Sequence, residues 1–241
     1  MTAMRVLVLR PRPEAEETAA ALAALGYRPL LAPMLEVRAL SHPPIDPARY
    51  AAVLLTSANA VRALADDPAL PGLRPLPVFA VGAHTARAAE GAGFALVEAG
   101  ETDGAALVAR LPRRLARGTR VLYPAGRDRA FDPVPVLAAA GIAVDVIAVY
   151  AAEPVPDLPS DVVAAIAGGA VDAVLTGSAR TSAAFAAALG RAGLLGRLEP
   201  LLICGISENA VVPLRRSGAS RVRIASRPDQ AGLLACLGGG G

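Results

Sequence analysis

The chain has 241 residues, of which 54% are hydrophobic and 19% charged, so it can bury one or two cores and is not disordered. Its net charge is only +3, aromatic residues make up 3% and tryptophan is absent, which argues against nucleic-acid binding. No apolar run reaches the roughly 18 residues of a membrane span, and the N-terminus does not resemble a signal peptide. We therefore expect a cytoplasmic protein without a membrane partner.

The pattern of cysteines and histidines gives no support for a metal site or a disulfide framework. Cys204 and Cys236 lie in apolar stretches and are expected to be small buried hydrophobic residues. His42 and His84 are far apart, and no group of His, Cys and Asp has the spacing of metal ligands. The sequence therefore predicts no metal.

The first predicted elements form a β–α–β unit over residues 5–35. Its Ala/Leu-rich helix is expected to end just before Gly26, and this glycine is expected to adopt the left-handed conformation. The proline-rich segment SHPPIDP (41–47) follows, and it predicts a break between globular parts. Three further segments then each predict a strand or loop that leads into a helix. These are AVLLTSANAV (52–61), VFAVGAHTA (78–86) and AGETDGAAL (99–107).

A second series with the same order of elements begins at residue 120. Residues 120–150 repeat the β–α–β unit, with Gly141 in the place of Gly26, and AEPVPDLPS (152–160) repeats the proline-rich break. Three segments again complete the series. These are AVLTGSARTS (173–182), LICGISENA (202–210) and ASRPDQAGLL (225–234).

Short, continuously apolar strands that alternate with helices are typical of parallel α/β sheets covered on both faces. The two series therefore predict an α/β protein with two doubly wound parallel-sheet domains that are flavodoxin-like. The residues alone leave open whether the first β–α–β unit folds with its own continuation or with that of the second series.

The candidate binding residues follow predicted strands, because open parallel sheets bind ligands at the carboxyl ends of their strands. Most are glycines or small hydroxyl residues at a helix start, where a hydroxyl either caps the helix or helps its N–H groups to bind an anion. Arginines in these loops could contact carboxylates. The candidates are Arg10, Thr56, Ser57, Gly82, Thr102, Arg127, Thr176, Ser178 and Ser207.

Tyr150 is the candidate catalytic residue. It stands just before the second proline-rich break, at a predicted domain boundary, and a phenol there could pass a proton to a leaving oxygen. The motifs that bind ATP and dinucleotides, GxxxxGK[ST] and GxGxxG, are absent from the helix starts, as is the GxSxG motif of hydrolases.

The ordered segments RVLVLRP, LLTSANAV, AGETDGAAL, RVLYPAGRDR, VYAAEP and CGISENA resemble the uroporphyrinogen-III synthase family over nearly the whole chain. The resemblance implies two α/β domains joined by a two-stranded β linker. One domain would comprise residues 1–36 plus 155–241, and the other residues 40–150. Members of this family cyclise hydroxymethylbilane to uroporphyrinogen III in porphyrin and haem biosynthesis, with loss of water and inversion of ring D. No cofactor is implied, and we expect a monomer whose partner is this small-molecule substrate.

The resemblance also assigns roles to individual residues. Tyr150 matches the family tyrosine suspected of assisting departure of the hydroxyl, Thr56 and Ser57 match its small-hydroxyl loop, and Thr102 matches the threonine of its GET-like motif. Thr176 and Ser178 fall on the corresponding loop of the other domain. The chain departs from the family at Ser207-Glu208, where relatives often have threonine after the glycine. An acidic side chain there would repel substrate carboxylates, so either Glu208 points away from the substrate or this loop binds differently. The alternative is a non-catalytic two-domain protein that binds or senses a polyanionic small ligand.

Overall fold

The computed structural model describes residues 3–100, 104–129 and 131–238. The chain divides into two compact units. Unit 1 comprises Met1–Glu36 and Glu153–Gly241, and unit 2 comprises Val37–Ala152. In the described ranges, none of the helices has the length and apolar character required to cross a membrane.

Unit 1 contains a five-stranded parallel sheet with helices between its strands. The strands are β1 (Arg5–Val8), β2 (Arg28–Leu31), β9 (Ala173–Thr176), β10 (Leu202–Gly205) and β11 (Arg221–Ile224). The helices are α1 (Glu14–Ala24), α7 (Ser160–Ala167), α8 (Ala179–Arg191), α9 (Glu208–Arg216) and α10 (Gln230–Ala235). The spatial order β11–β10–β9–β1–β2 is that of a flavodoxin-like sheet.

Unit 2 contains a six-stranded sheet. Its strands are β3 (Leu35–Ala39), β4 (Ala52–Leu55), β5 (Pro77–Ala80), β6 (Leu96–Ala99), β7 (Arg120–Gly126) and β8 (Ala143–Pro154). Its helices are α2 (Ala58–Ala63), α3 (Leu70–Leu73), α4 (Gly82–Gly91), α5 (Gly104–Arg110) and α6 (Val134–Ala139). The spatial order is β3–β8–β7–β4–β5–β6, and the five strands from β8 to β6 are parallel.

Strands β3 and β8 carry the chain between the units and are neighbours in the second sheet. The amide of Leu40 donates to the carbonyl of Val149 at 2.9 Å, and the amide of Val155 donates to the carbonyl of Met34 at 3.0 Å. The residue numbers rise on one strand as they fall on the other, so the two strands are antiparallel. Both connections between the units therefore run through paired strands.

The two sheets have the same spatial order when their strands are matched through the sequence repeat. Strands β1 and β2 correspond to β7 and β8, and strands β9, β10 and β11 correspond to β4, β5 and β6. Each sheet thus combines the β–α–β unit of one copy with the three strands of the other. The structure confirms the predicted fold class. It also shows that the first β–α–β unit forms a sheet with the strands of the second series and not with those of its own.

The cores explain why the strands are apolar along their whole length. In β4, Val53 and Leu55 join one buried cluster, whereas Ala52 and Leu54 join another on the opposite face of the sheet. A sheet covered on both faces buries consecutive residues, and each large side chain that is fully buried contributes roughly 1.5–3 kcal/mol.

Two further sequence predictions are confirmed locally. Gly26 and Gly141 have φ angles of +83° and +76° just beyond α1 and α6, in the left-handed region that favours glycine. Cys204 and Cys236 are both buried, and burial raises the pKa of the Cys204 thiol to about 12, so it is an unreactive core residue.

Candidate functional site

Each sheet has a switch point, where consecutive connections leave a strand in opposite directions and open a crevice at the carboxyl ends of the strands. In unit 1 this point lies between β1 and β9, and in unit 2 it lies between β4 and β7. The predicted site residues follow these strands or their neighbours.

At the switch point of unit 2, two hydroxyl groups contact each other, one directly after β4 and one on β7. Thr56 Oγ1, directly after β4, lies 3.0 Å from Tyr123 Oη on β7. The Tyr123 side chain is buried, with 2% of the residue exposed. Burial is the largest influence on this phenol and raises its pKa, against smaller opposing effects of Thr56 and Arg129. Tyr123 is therefore protonated at neutral pH.

Tyr150 lies on β8, opposite the last residue of β7. A bulge in the pairing of β7 with β8 places Gly126 opposite Tyr150, and the amide of Arg127 donates to the Tyr150 carbonyl at 2.8 Å. A Cβ atom at Gly126 would lie 2.9 Å from Tyr150 Cζ and 3.0 Å from its Oη, so only glycine leaves room for the ring. The Tyr150 hydroxyl makes no hydrogen bond within the part of the chain that the structure describes.

The strand that carries Tyr150 is longer than the sequence suggested. The sequence placed Tyr150 at the end of a strand, before the proline-rich break, but β8 continues for four residues beyond it to Pro154. The extension is part of the connection between the units, where β8 pairs with β3. Tyr150 is therefore held by backbone pairing on both sides of its position.

The other candidates in unit 2 lie at helix starts. Ser57 Oγ caps α2 by accepting from the amide of Asn59 at 3.1 Å. Gly82 opens α4 with a φ of +73°, and the preceding Val81 provides no capping side chain. The first N–H groups of this ten-residue helix thus point to the carboxyl end of β5 with the positive end of the helix dipole. Thr102 lies outside the described residues.

The loop after β7 lines an open pocket of about 510 Å³. Its lining residues are Arg127, Asp128, Arg129, Phe131 and Asp132. The guanidinium of Arg127 is half-exposed and lies 3.8 Å from the carboxylate of Asp128. The pocket therefore offers cationic groups next to the Tyr150 strand, with acidic neighbours that moderate its charge.

In unit 1, Arg10 follows β1 at the switch point. Its Nη1 donates to Thr18 Oγ1 on α1 at 3.5 Å. Burial lowers the pKa of this guanidinium, while the nearby Glu14 and Glu17 act in the opposite direction, so it keeps its charge at neutral pH. Arg10 is thus held against α1 and is not a solvated loop residue.

Thr176 is the last residue of β9, and its side chain is enclosed within unit 1. Its side chain is completely buried, and its Oγ1 lies 2.7 Å from Ser182 Oγ on α8. Ser182 in turn donates to the carbonyl of Ala210 on α9 at 2.6 Å. The Thr176 hydroxyl therefore links β9 to α8 and α9.

Ser178 and Ser207 act as helix caps in the structure. Ser178 Oγ accepts from the amide of Thr181 at 3.1 Å at the start of α8, and Ser207 Oγ accepts from the amide of Ala210 at 3.3 Å at the start of α9. Of the two roles considered for these hydroxyls, capping is the one that the geometry displays. Both serines fix helix starts at the carboxyl ends of β9 and β10.

Glu208, the departure from the family pattern, forms an ion pair with Arg215 on the same helix. Its carboxylate is therefore partnered by a cation, which reduces the repulsion that it would exert on an anionic ligand. In the described ranges, no group of His, Cys, Asp and Glu is arranged to hold a metal ion.

Sequence reasoning missed Tyr123. The available signal was its place in RVLYPAG: a phenol inside a buried strand needs a hydrogen-bond partner, and the residues after the neighbouring strand supply one. The pairing of β4 with β7, which brings Thr56 to it, links residues far apart in the chain and could not be read from either segment alone.

Comparisons with known proteins agree with this architecture. The sequence profile described as uroporphyrinogen-III synthase HemD matches residues 16–235. The chain belongs to the uroporphyrinogen-III synthase family. It is similar in structure to uroporphyrinogen-III synthetase from Helicobacter pylori, with a TM-score of 0.67, 18% identity and coverage of 97% of this chain and 98% of that chain.

A second solved structure has the same fold. It is a mutant uroporphyrinogen III synthase from the extremely thermophilic bacterium Thermus thermophilus, with a TM-score of 0.57, 21% identity and coverage of 98% of this chain and 99% of that one. Comparison with curated protein sequences gives no match. The family match identifies the chain as a lyase of porphyrin biosynthesis and confirms the resemblance noted in its motifs.

Proposed function

We propose that this uroporphyrinogen-III synthase family enzyme converts hydroxymethylbilane to uroporphyrinogen III, with loss of water and inversion of ring D. The observation that carries the proposal is the family match over residues 16–235. The structure supports it with the phenol of Tyr150, which lies on the strand next to the switch point of unit 2 and has no hydrogen-bond partner among the described residues. We further propose that the enzyme works as a cytoplasmic monomer.

The chemistry that this site must assist is the departure of the terminal hydroxyl of the bilane. As the C–O bond breaks, the leaving oxygen takes a proton from the Tyr150 hydroxyl and departs as water. Ring closure at the resulting cation releases one proton from the pyrrole, which restores the phenol. The cation forms readily, so most of the catalytic burden is to fold the chain of rings for the inverted closure.

The substrate carries eight carboxylates, and the candidate loops offer groups that bind carboxylates. Uncapped N–H groups at the start of α4 and the helix starts held by serine caps supply hydrogen-bond donors with a favourable dipole. The arginines add charge. The residues proposed for substrate binding are Arg10, Thr56, Ser57, Gly82, Thr102, Arg127, Ser178 and Ser207.

The test is a product assay with freshly prepared hydroxymethylbilane, in which isomers I and III are separated after oxidation to porphyrins. We expect isomer III to form much faster than the spontaneous appearance of isomer I in the absence of protein. Formation of isomer I alone, at the spontaneous rate, would contradict the proposal. If binding of the bilane were then detected without turnover, the alternative of a binding or sensor protein would replace it.

A further inference from the structure

Tyr123 is a buried phenol that the chemistry above does not use. Its hydroxyl lies 3.0 Å from Thr56 Oγ1, and neither side chain makes another hydrogen bond within the part of the chain that the structure describes. The two residues differ in exposure, because Tyr123 is only 2% exposed whereas Thr56, directly after β4, is partly exposed. The Tyr123 hydroxyl is thus the inner member of the pair and the Thr56 hydroxyl the outer one.

The burial of Tyr123 decides which of the two hydroxyls donates. If Thr56 donated to Tyr123, the phenol proton would be buried without an acceptor among the described residues, and a buried donor that lacks an acceptor destabilises the folded protein. If Tyr123 donates, its proton is satisfied. The proton of Thr56 then remains available to water or to a ligand at the carboxyl end of β4.

The backbone around Thr56 is fixed on both sides, so rotation of the side chain is its main freedom. Leu55 is the last residue of β4, and Ser57 caps α2 by accepting from the amide of Asn59 at 3.1 Å. Threonine carries a hydroxyl and a methyl group on Cβ, and rotation about the Cα–Cβ bond exchanges their directions. The hydrogen bond from Tyr123 selects the rotamer that turns the oxygen, and not the methyl group, to the phenol.

We propose that Tyr123 is a positioning residue for substrate binding: by donating to Thr56 Oγ1, it fixes the Thr56 hydroxyl as a donor to a carboxylate of the bilane. This inference rests on the proposed function, in which Thr56 binds the substrate. Tyr123 belongs to a buried core cluster and acts only through Thr56. A carboxylate contact that is the same before and during the reaction lowers KM and leaves kcat unchanged.

The experiment is a double-mutant cycle with Tyr123→Phe, Thr56→Val and the double variant, in which KM and kcat are measured for isomer III formation. Each single variant should raise KM about fivefold, as for the loss of one hydrogen bond, with kcat within twofold of wild type. In the Thr56→Val background, Tyr123→Phe should change KM less than twofold, because no hydroxyl remains to be oriented.

The matched control is Tyr50→Phe, which removes the hydroxyl of another buried tyrosine of unit 2. Tyr50 precedes β4, at the opposite end of this strand from Thr56, and its hydroxyl donates to Asp145 at 3.1 Å. This variant also loses a hydrogen bond, so it should lower the thermal midpoint while KM stays within twofold of wild type. Thermal unfolding of every variant separates loss of folded protein from weaker binding.

Thr56→Ser keeps the hydroxyl and should keep KM within twofold of wild type, which separates it from Thr56→Val even if Tyr123→Phe fails to fold. Equal KM values in Thr56→Ser and Thr56→Val would overturn this inference and leave the proposed function intact. The same holds for an unchanged KM in Tyr123→Phe, for an equal rise in both backgrounds, or for a similar rise in Tyr50→Phe. Formation of isomer I alone by the wild-type protein would overturn both.

Discussion

The position of the Tyr150 ring depends on the absence of one side chain. The φ angle of Gly126 is not positive, so the backbone conformation at this position would accept other residues. The position requires glycine because the Tyr150 ring covers it. A methyl group there would meet the Tyr150 ring closer than non-bonded atoms tolerate. The last residue of β7 thus determines where the proposed acid can stand.

Gly126→Ala should therefore displace the Tyr150 phenol and lower kcat at least tenfold, while the backbone of β7 stays in place. The measurement is the rate of isomer III formation together with the thermal midpoint. Gly196→Ala is the matched control, because a Cβ at Gly196 meets nothing within 4 Å and its φ is not positive. Wild-type kcat in Gly126→Ala would show that the ring position is not important for catalysis.

Single residues were predicted correctly where their interactions are local in the sequence, and not where their partners lie in other elements. Gly26 and Gly141 were predicted correctly because the requirement for a left-handed helix end is local. The burial of Thr176 was not foreseen and Tyr123 was missed because their partners, Ser182 and Thr56, come from other elements. A hydroxyl after a strand looks the same in the sequence whether it faces a ligand or a neighbouring helix.

At the scale of elements, helix starts organise both candidate sites. The thirteen-residue helix α8 begins at Ala179, and Ser178 accepts a hydrogen bond from its first turn. Strand and helix existence was readable from apolar runs and their periods, since both signals are local. The length of β8 could not be read from the sequence, because its last residues form a strand only through pairing with β3.

Ser178→Ala should lower the free energy of unfolding by about 1 kcal/mol, because it removes the cap of α8, and Ser178→Asn should recover most of that loss. Denaturant unfolding of the three proteins provides the measurement. If the serine acts through the helix start alone, KM for the bilane should stay within threefold in the asparagine variant. A tenfold higher KM in that variant would mean that the hydroxyl itself contacts substrate.

At the scale of the whole molecule, the two units differ in how the chain supplies them. Unit 2 is continuous, whereas the sheet of unit 1 needs β1 and β2 from one end of the chain and β9 to β11 from the other. In that sheet β1 pairs with β2 on one side and with β9 on the other. The sequence repeat revealed two sheets, but the family resemblance was needed to infer the exchange of partners.

A fragment of residues 35–154 should therefore fold alone, since it contains all six strands of its sheet and the two buried clusters that cover them. We expect strand and helix signals in circular dichroism and a single cooperative thermal transition. The control fragment, residues 155–241, lacks β1 and should show no cooperative transition. Cooperative unfolding of the control, or its absence in the fragment 35–154, would contradict this division.

The split origin of the first sheet also sets an order of events on the ribosome. Strand β1 is made long before its partner β9, which ends at Thr176. At roughly 5–20 residues per second, the early strand waits on the order of ten seconds or more with one edge open. During that interval the strands of unit 2 emerge and can complete their own sheet, so the segment that carries β1 is the stretch for which protection by a chaperone has most value.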